Sequence, residues 1–155
     1  MSVMKLKHFF ALIIGIGVLI VGYQSLFTQS SKIRRTVKKC VKSLEHLSPD
    51  LECLCPDFGV LGYTKRDAIE DWNRYRTQFQ KVSVRYNLYD IESRGVWAAA
   101  KIRVRATCKI EGKLYLLAGT PFGFETGNVS FRQRNGKWCI KRLDLPSLKN
   151  WIGQR

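Results

Sequence analysis

This chain of 155 residues predicts an α+β fold: an N-terminal transmembrane helix, then helices packed on a curved, mostly antiparallel sheet. Three observations carry that expectation. Residues 9–27 form an apolar run without a charge. Residues 30–80 hold two stretches with apolar side chains at helical spacing. From Val82 the apolar period switches to two, which is strand spacing.

The apolar run Phe9 to Phe27 follows a basic tail, residues 1–8, with Lys5 and Lys7. As a helix of 1.5 Å per residue it reaches about 28 Å, close to the thickness of a bilayer core. An uncleaved anchor through the lipid bilayer is expected, because no convincing small-x-small cleavage site follows. Gly15 and Gly17 lie inside the span and have no strand or phosphate loop around them. Lys32, Arg34, Arg35, Lys38, Lys39 and Lys42 flank the far side, which by the positive-inside rule favours a cytoplasmic domain. A very short basic N-terminus before a span favours export instead. Export to an extracytoplasmic, periplasm-like compartment is the expectation, a cytoplasm-facing domain the alternative. Asn128-Val129-Ser130 is a glycosylation sequon, relevant only in a eukaryotic secretory pathway.

After a linker, residues 28–32, the domain is expected over 33–145 with a C-terminal tail over 146–155. Ser30 or Ser31 can cap a helix to about Leu47. Its apolar face holds Ile33, Val37, Cys40, Val41 and Leu44; Arg34, Arg35, Lys38 and Lys39 form a basic back. Thr64 and Asp67 form a T-x-x-D capping box, opening a helix to about Gln80 that buries Ala68, Ile69, Trp72, Tyr75 and Phe79. Val82, Val84, Tyr86 and Leu88 alternate, and Ile91 breaks their phase, which predicts a bulge. A long strand from Val96 to Ile110 follows, with Lys101, Arg103 and Arg105 on its polar face. Glu111-Gly112 turns into a strand from Leu114 to Phe124, and Asn135-Gly136 joins a last pair of strands.

Lys plus Arg outnumber Asp plus Glu by 27 to 12. Residues 1–42 hold eight basic residues and no acidic one, so the remainder is only moderately basic. This balance points to anionic partners. The five cysteines are an odd number, with no C-x-x-C, which argues for small buried hydrophobes over a disulfide framework. By strand parity, no bond is expected between Cys108 and Cys139. With only His8 and His46, no ligand set has zinc spacing, and no metal or cofactor is expected. His46, near a helix end, fits a capping role.

Two patterns carry a family resemblance. One runs from Pro56-Asp57-Phe58-Gly59 through Gly62 to Ile69; the other is the closing hairpin Phe131 to Asp144, FRQRNGKWCIKRLD. Together with the order of elements they resemble the nuclear transport factor 2-like superfamily, over about residues 32–145. The resemblance implies a cone between helices and sheet. It covers ketosteroid-isomerase-like and polyketide-cyclase-like enzymes as well as non-catalytic, membrane-anchored scaffold domains, so it implies little about chemistry. Homodimers through the sheet are common in such folds.

Asp57 and Tyr63 are the candidate catalytic pair, because the family's pocket mouth often lies near this link. More simply, Asp57 is a turn residue and Tyr63 a packing residue. Trp72, Tyr75, Tyr86 and Trp97 could line the cone. No Ser/His/Asp set, G-x-S-x-G or phosphate loop is present. Lys101, Arg103 and Arg105 repeat about every 7 Å and suit anionic headgroups or an acidic protein partner, as do Arg34, Arg35, Lys38 and Lys39. Arg85, Arg132 and Arg134 extend that set. No stacking platform for nucleic acid is evident. The expected function is a membrane-anchored binding or assembly module without catalytic machinery. The alternatives are a small-molecule isomerase, cyclase or lyase using the cone, and a basic domain on an anionic surface.

Overall fold

Fourteen alternating residues, Trp97–Ile110, make the strand on which the sheet is built. In the computed structural model, which describes residues 28–154, this strand β4 pairs antiparallel along its length with β3, Lys81–Arg94. Its other edge is shared. β6, Glu125–Arg134, takes Trp97 to Val104, and β5, Lys113–Ala118, takes Ala106 to Ile110. β7, Lys137–Asp144, pairs with β6. Ala98, Ala100, Ile102, Val104 and Cys108 are buried on one face of β4, as the alternation predicts.

Three bulges curve the sheet. The one foreseen at Ile91 lies between Tyr89 and Glu92, with Asp90 at φ 50°. Leu117 is the extra residue of β5, and Lys141 that of β7. Each inserts one residue and increases the local twist. Asn135 and Gly136 both have positive φ, giving the turn that matches strand twist. Gly127 admits no side chain: a Cβ there would stand 2.1 Å from the Asp144 carbonyl oxygen.

Among the described residues, helix α1 runs over 28–45 on the concave face, burying Ile33 and Val37. Ser30 and Ser31 therefore lie within the helix rather than capping it, and the expected linker over 28–32 is helical. The helix ends in a Schellman turn with Leu47 at φ 53°; Ser48 N–H donates to the Ser43 carbonyl. Two short strands, β1 (Gly59–Val60) and β2 (Tyr63–Thr64), pair and lead into α2, Lys65–Tyr75. The capping box forms as predicted: Asp67 N–H donates to Thr64 Oγ1, and Thr64 N–H to Asp67 Oδ2 at 2.8 Å. α2 stops short of Gln80. A 3-10 turn over Arg76–Gln78 follows, because Gln80 N–H already joins the Lys109 carbonyl.

β5 ends at Ala118 instead of continuing to Phe124, since Gly119 turns at φ 107° and Thr120 pairs with Gly123. The expected tail over 146–155 is largely a helix, α3, Pro146–Gly153. Its first turn is capped from another element. Glu125 accepts hydrogen bonds from Ser147 N–H, at 3.0 Å, and from the Ser147 hydroxyl.

The cysteines correct the sequence expectation. Cys40 is bonded to Cys53 and Cys55 to Cys139, while Cys108 is free and buried. Cys108 and Cys139 are indeed not joined. Residues 53–55 run beside the β7 edge, with Cys55 N–H donating to the Ile140 carbonyl and Ile140 N–H to that of Cys53. The disulfides fasten this strip to α1 on one side and to β7 on the other. Among the described residues no helix is long and apolar enough to cross a membrane. The basic tail, 1–8, and the expected anchor, 9–27, lie outside the described residues.

Candidate functional site

Asp57, the first sequence candidate, sits in the turn after Cys55. Its Oδ2 meets three cations: Lys141 Nζ at 2.8 Å, Arg132 Nη1 at 3.1 Å and Arg134 Nη2 at 3.2 Å. Lys141 is the extra residue of the β7 bulge, and its Nζ also donates to the Asp57 carbonyl. The Lys141 hydrogen bond, helped by the Lys141 and Arg134 charges, holds the Asp57 carboxyl below its ordinary value, against the opposing effect of burial. A general base needs the reverse shift. In this arrangement Asp57 is the common acceptor of three ion pairs. Arg132 also lies over the Trp97 ring at 4.8 Å, so Trp97 joins this cluster.

Tyr63, the second candidate, is buried and donates its hydroxyl to Asp71 Oδ2 at 3.0 Å. Asp71, only 5% exposed, lines a cleft of about 380 Å³ with Arg74, Tyr75, Trp151 and Gln154. Trp151 of α3 meets Tyr75 edge-on at 5.7 Å. Asp71 was not singled out from the sequence. Its spacing would have found it: it lies three residues after Ala68 and four before Tyr75, on the apolar face of α2.

The four aromatic residues expected to line one cone are dispersed. Tyr75 borders the α2–α3 cleft. Trp72 packs on Phe79 and donates Nε1 to the Ser48 carbonyl at 2.6 Å, locking the end of α1. Tyr86 is half-buried, and burial pushes its phenol up. Trp97 is 47% exposed on the opposite face of the sheet, which corrects its place among pocket residues. The concave side is filled by Ile33, Phe58, Val60, Leu88 and Phe131. Among the described residues no group of three or more His, Cys, Asp and Glu could hold a metal ion.

The predicted anionic-surface residues divide as well. Lys101 is paired with Asp90 at 3.0 Å. Arg103 lies over Phe124 at 5.6 Å, and Arg105 donates to the Pro121 carbonyl. Arg34 donates to the Leu88 carbonyl at 2.7 Å and so ties α1 to β3. Arg35, Lys38 and Lys39 are exposed on the back of α1.

A cluster of exposed apolar residues among the described ones was not anticipated. Leu114, Tyr115, Leu116, Leu117, Phe122 and Phe124 all stand open, Leu114 at 73% and Phe122 at 99%. Register puts Leu114 and Leu116 on the outer face beside Lys109 and Thr107, and Tyr115 on the inner face beside Cys108. Among the described strands β5 pairs only with β4, so its other edge is unpaired.

No protein-family model matches the chain, and no curated protein matches it. Solved structures do. A protein from Novosphingobium aromaticivorans provisionally named a scytalone dehydratase superposes with a TM-score of 0.63 at 18% identity, over 77% of this chain and 83% of its own. A conserved protein from Planctomyces limnophilus gives 0.64 at 12% identity, over 75% and 93%. A nuclear transport factor 2-like protein with a cystatin-like fold, also from N. aromaticivorans, gives 0.56 at 14%, over 80% and 84%. The fold of this chain is therefore the nuclear transport factor 2-like, cystatin-like one.

Proposed function

We propose that the chain is a membrane-tethered binding module that holds an extended, acidic segment of a partner protein along the β5 edge. The tether is the apolar run over 9–27. The observation that carries the reading is β5 itself, with apolar side chains open on both faces and a free backbone edge. Such an edge is a template for a further strand. Lys113 lies on β5 and Lys109 opposite it on β4, with Arg105 on β4 just beyond the paired stretch, so an acidic partner is complementary. The packed concave side supports binding over turnover. Two disulfides support an oxidising, extracytoplasmic compartment, where such bonds persist.

The test uses the full chain in detergent and an alternating Val-Glu decapeptide as probe. Binding is expected, with loss for Leu116→Lys and loss when alternate peptide amides are N-methylated. Equal binding of the methylated peptide overturns strand addition. Self-association of the chain that Leu116→Lys disrupts, without peptide binding, replaces the partner by a second copy.

A second reading rests on Tyr63 and Asp71, a phenol–carboxylate pair at a cleft. It would make the chain an isomerase, cyclase or lyase, and two structural neighbours carry the name of one such lyase, a dehydratase. Turnover of a small carbonyl or alcohol substrate that Asp71→Asn abolishes, with the fold kept, would favour it.

A further inference from the structure

One end of the domain gathers features that the binding edge does not use. Gln29, in the first described turn of α1, accepts a hydrogen bond from Trp138 Nε1 at 2.9 Å. Trp138 follows the Asn135-Gly136 hairpin, and Gln133 N–H donates to the Val96 carbonyl at 2.7 Å. The first described turn of α1, the β3–β4 hairpin and the β6–β7 hairpin therefore share one end, and here the preceding 27 residues join the domain. The β5 strand pairs with the opposite end of β4.

This joining end is strongly basic. Arg132, Arg134 and Lys141 converge on a single carboxylate, Asp57, leaving a surplus of two positive charges. Lys32, Arg94 and Lys137 stand exposed around them. Two apolar side chains are open at the same place: Val96, 49% exposed, and Trp97, 47% exposed with Arg132 over its ring. A tryptophan beside basic groups suits the level of lipid headgroups, where an indole keeps one side apolar and one wet. A second copy of the same end would be repelled by like charge.

We propose that this end rests on an anionic phospholipid surface, with Arg132, Arg134 and Lys141 facing headgroup phosphates and Val96 and Trp97 at headgroup depth. The inference rests on the tether reading, since the anchor would bring this end to the bilayer. The domain is then held upright, its β5 edge turned outward. Each basic residue near such a surface favours anionic over neutral lipid by about fivefold.

The experiment reconstitutes the full chain into neutral phosphatidylcholine vesicles and into vesicles with added phosphatidylglycerol, both carrying a brominated lipid that quenches tryptophan. Flotation reads the tether, and quenching that is lost in Trp97→Phe reads the contact. Flotation with both vesicles is expected, with Trp97 quenching stronger in the anionic ones and removed by high salt. Arg94→Glu with Lys137→Glu, outside the ion cluster, is expected to float and melt normally yet lose the anionic excess. Failure to float with neutral vesicles overturns the tether and this inference with it. Flotation without a Trp97 signal that depends on anionic lipid overturns the inference alone. Loss of that signal on adding inorganic phosphate at constant ionic strength makes free phosphate the ligand and also overturns it.

Discussion

Glu125 of β6 caps the N-terminus of α3 through Ser147, its carboxylate accepting the backbone N–H at 3.0 Å. The helix has no side-chain cap of its own at Leu145. Glu125→Ala should remove this cap and lower stability by about 1–2 kcal/mol. Because α3 carries Trp151 onto Tyr75, a change in near-ultraviolet circular dichroism should accompany the shift in melting temperature. An unchanged melt would disprove the capping role.

Reduction should cost the protein most of its margin. The Cys55–Cys139 bond closes a separation of 84 residues and the Cys40–Cys53 bond one of 13. Chain-entropy reasoning assigns about 4–5 kcal/mol to the first and about 3 kcal/mol to the second. Urea melts with and without reductant should show the larger drop for Cys55→Ser with Cys139→Ser. A larger drop for the Cys40 and Cys53 pair would contradict the loop-size account.

Acid should weaken the fold in part through Asp57. Its folded carboxyl lies below the ordinary 3.8, so the unfolded chain binds the proton more tightly. The contribution is present above 3.8 and is lost as pH falls through the lower folded value. Asp144, held down by the Arg142 hydrogen bond, titrates in the same direction. Asp57→Asn should therefore be less stable at neutral pH and show a shallower, not absent, fall in melting temperature on acidification. A slope equal to that of the wild type would remove Asp57 from the account.

Gly127→Ala should be among the most damaging single substitutions in the sheet. The new Cβ would press on the Asp144 carbonyl oxygen and the Leu145 side chain, and the former is backbone. A loss of about 3 kcal/mol or more is expected from overpacking at a point that cannot yield. Urea denaturation measures it, and a loss under about 1 kcal/mol would mean that β6 and β7 shift freely.

Local signals in the sequence were readable where one residue type fixes one geometry. Thr64 with Asp67 and Asn135 with Gly136 did so, and the alternation of β4 fixed its buried face. That same alternation places Trp97 with Arg103 and Arg105, so its position outside the cone followed from parity alone. What stayed hidden depends on distant partners. The disulfides join residues that approach only after α1 and β7 have docked on the strip between them, and an odd count masks two pairs plus one buried thiol. α3 takes its cap from β6, so no local signal announces it. The Asp57 cluster includes Lys141, the extra residue of a bulge that no pattern of types encodes. Asp71 could have been found from its helical position.

The two fastened points on residues 53–55 also govern how the molecule carries tension. Suppose a pull is applied between α1 and the C-terminal helix, as a tethered protein under load would feel. The taut covalent path runs from Cys40 to Cys53, along to Cys55, and across to Cys139. Nearly the whole sheet lies off that path, as slack that cannot be drawn out. While oxidised, the described residues should stretch by little more than 28–40 and 139–154, and only a reductant would release the rest.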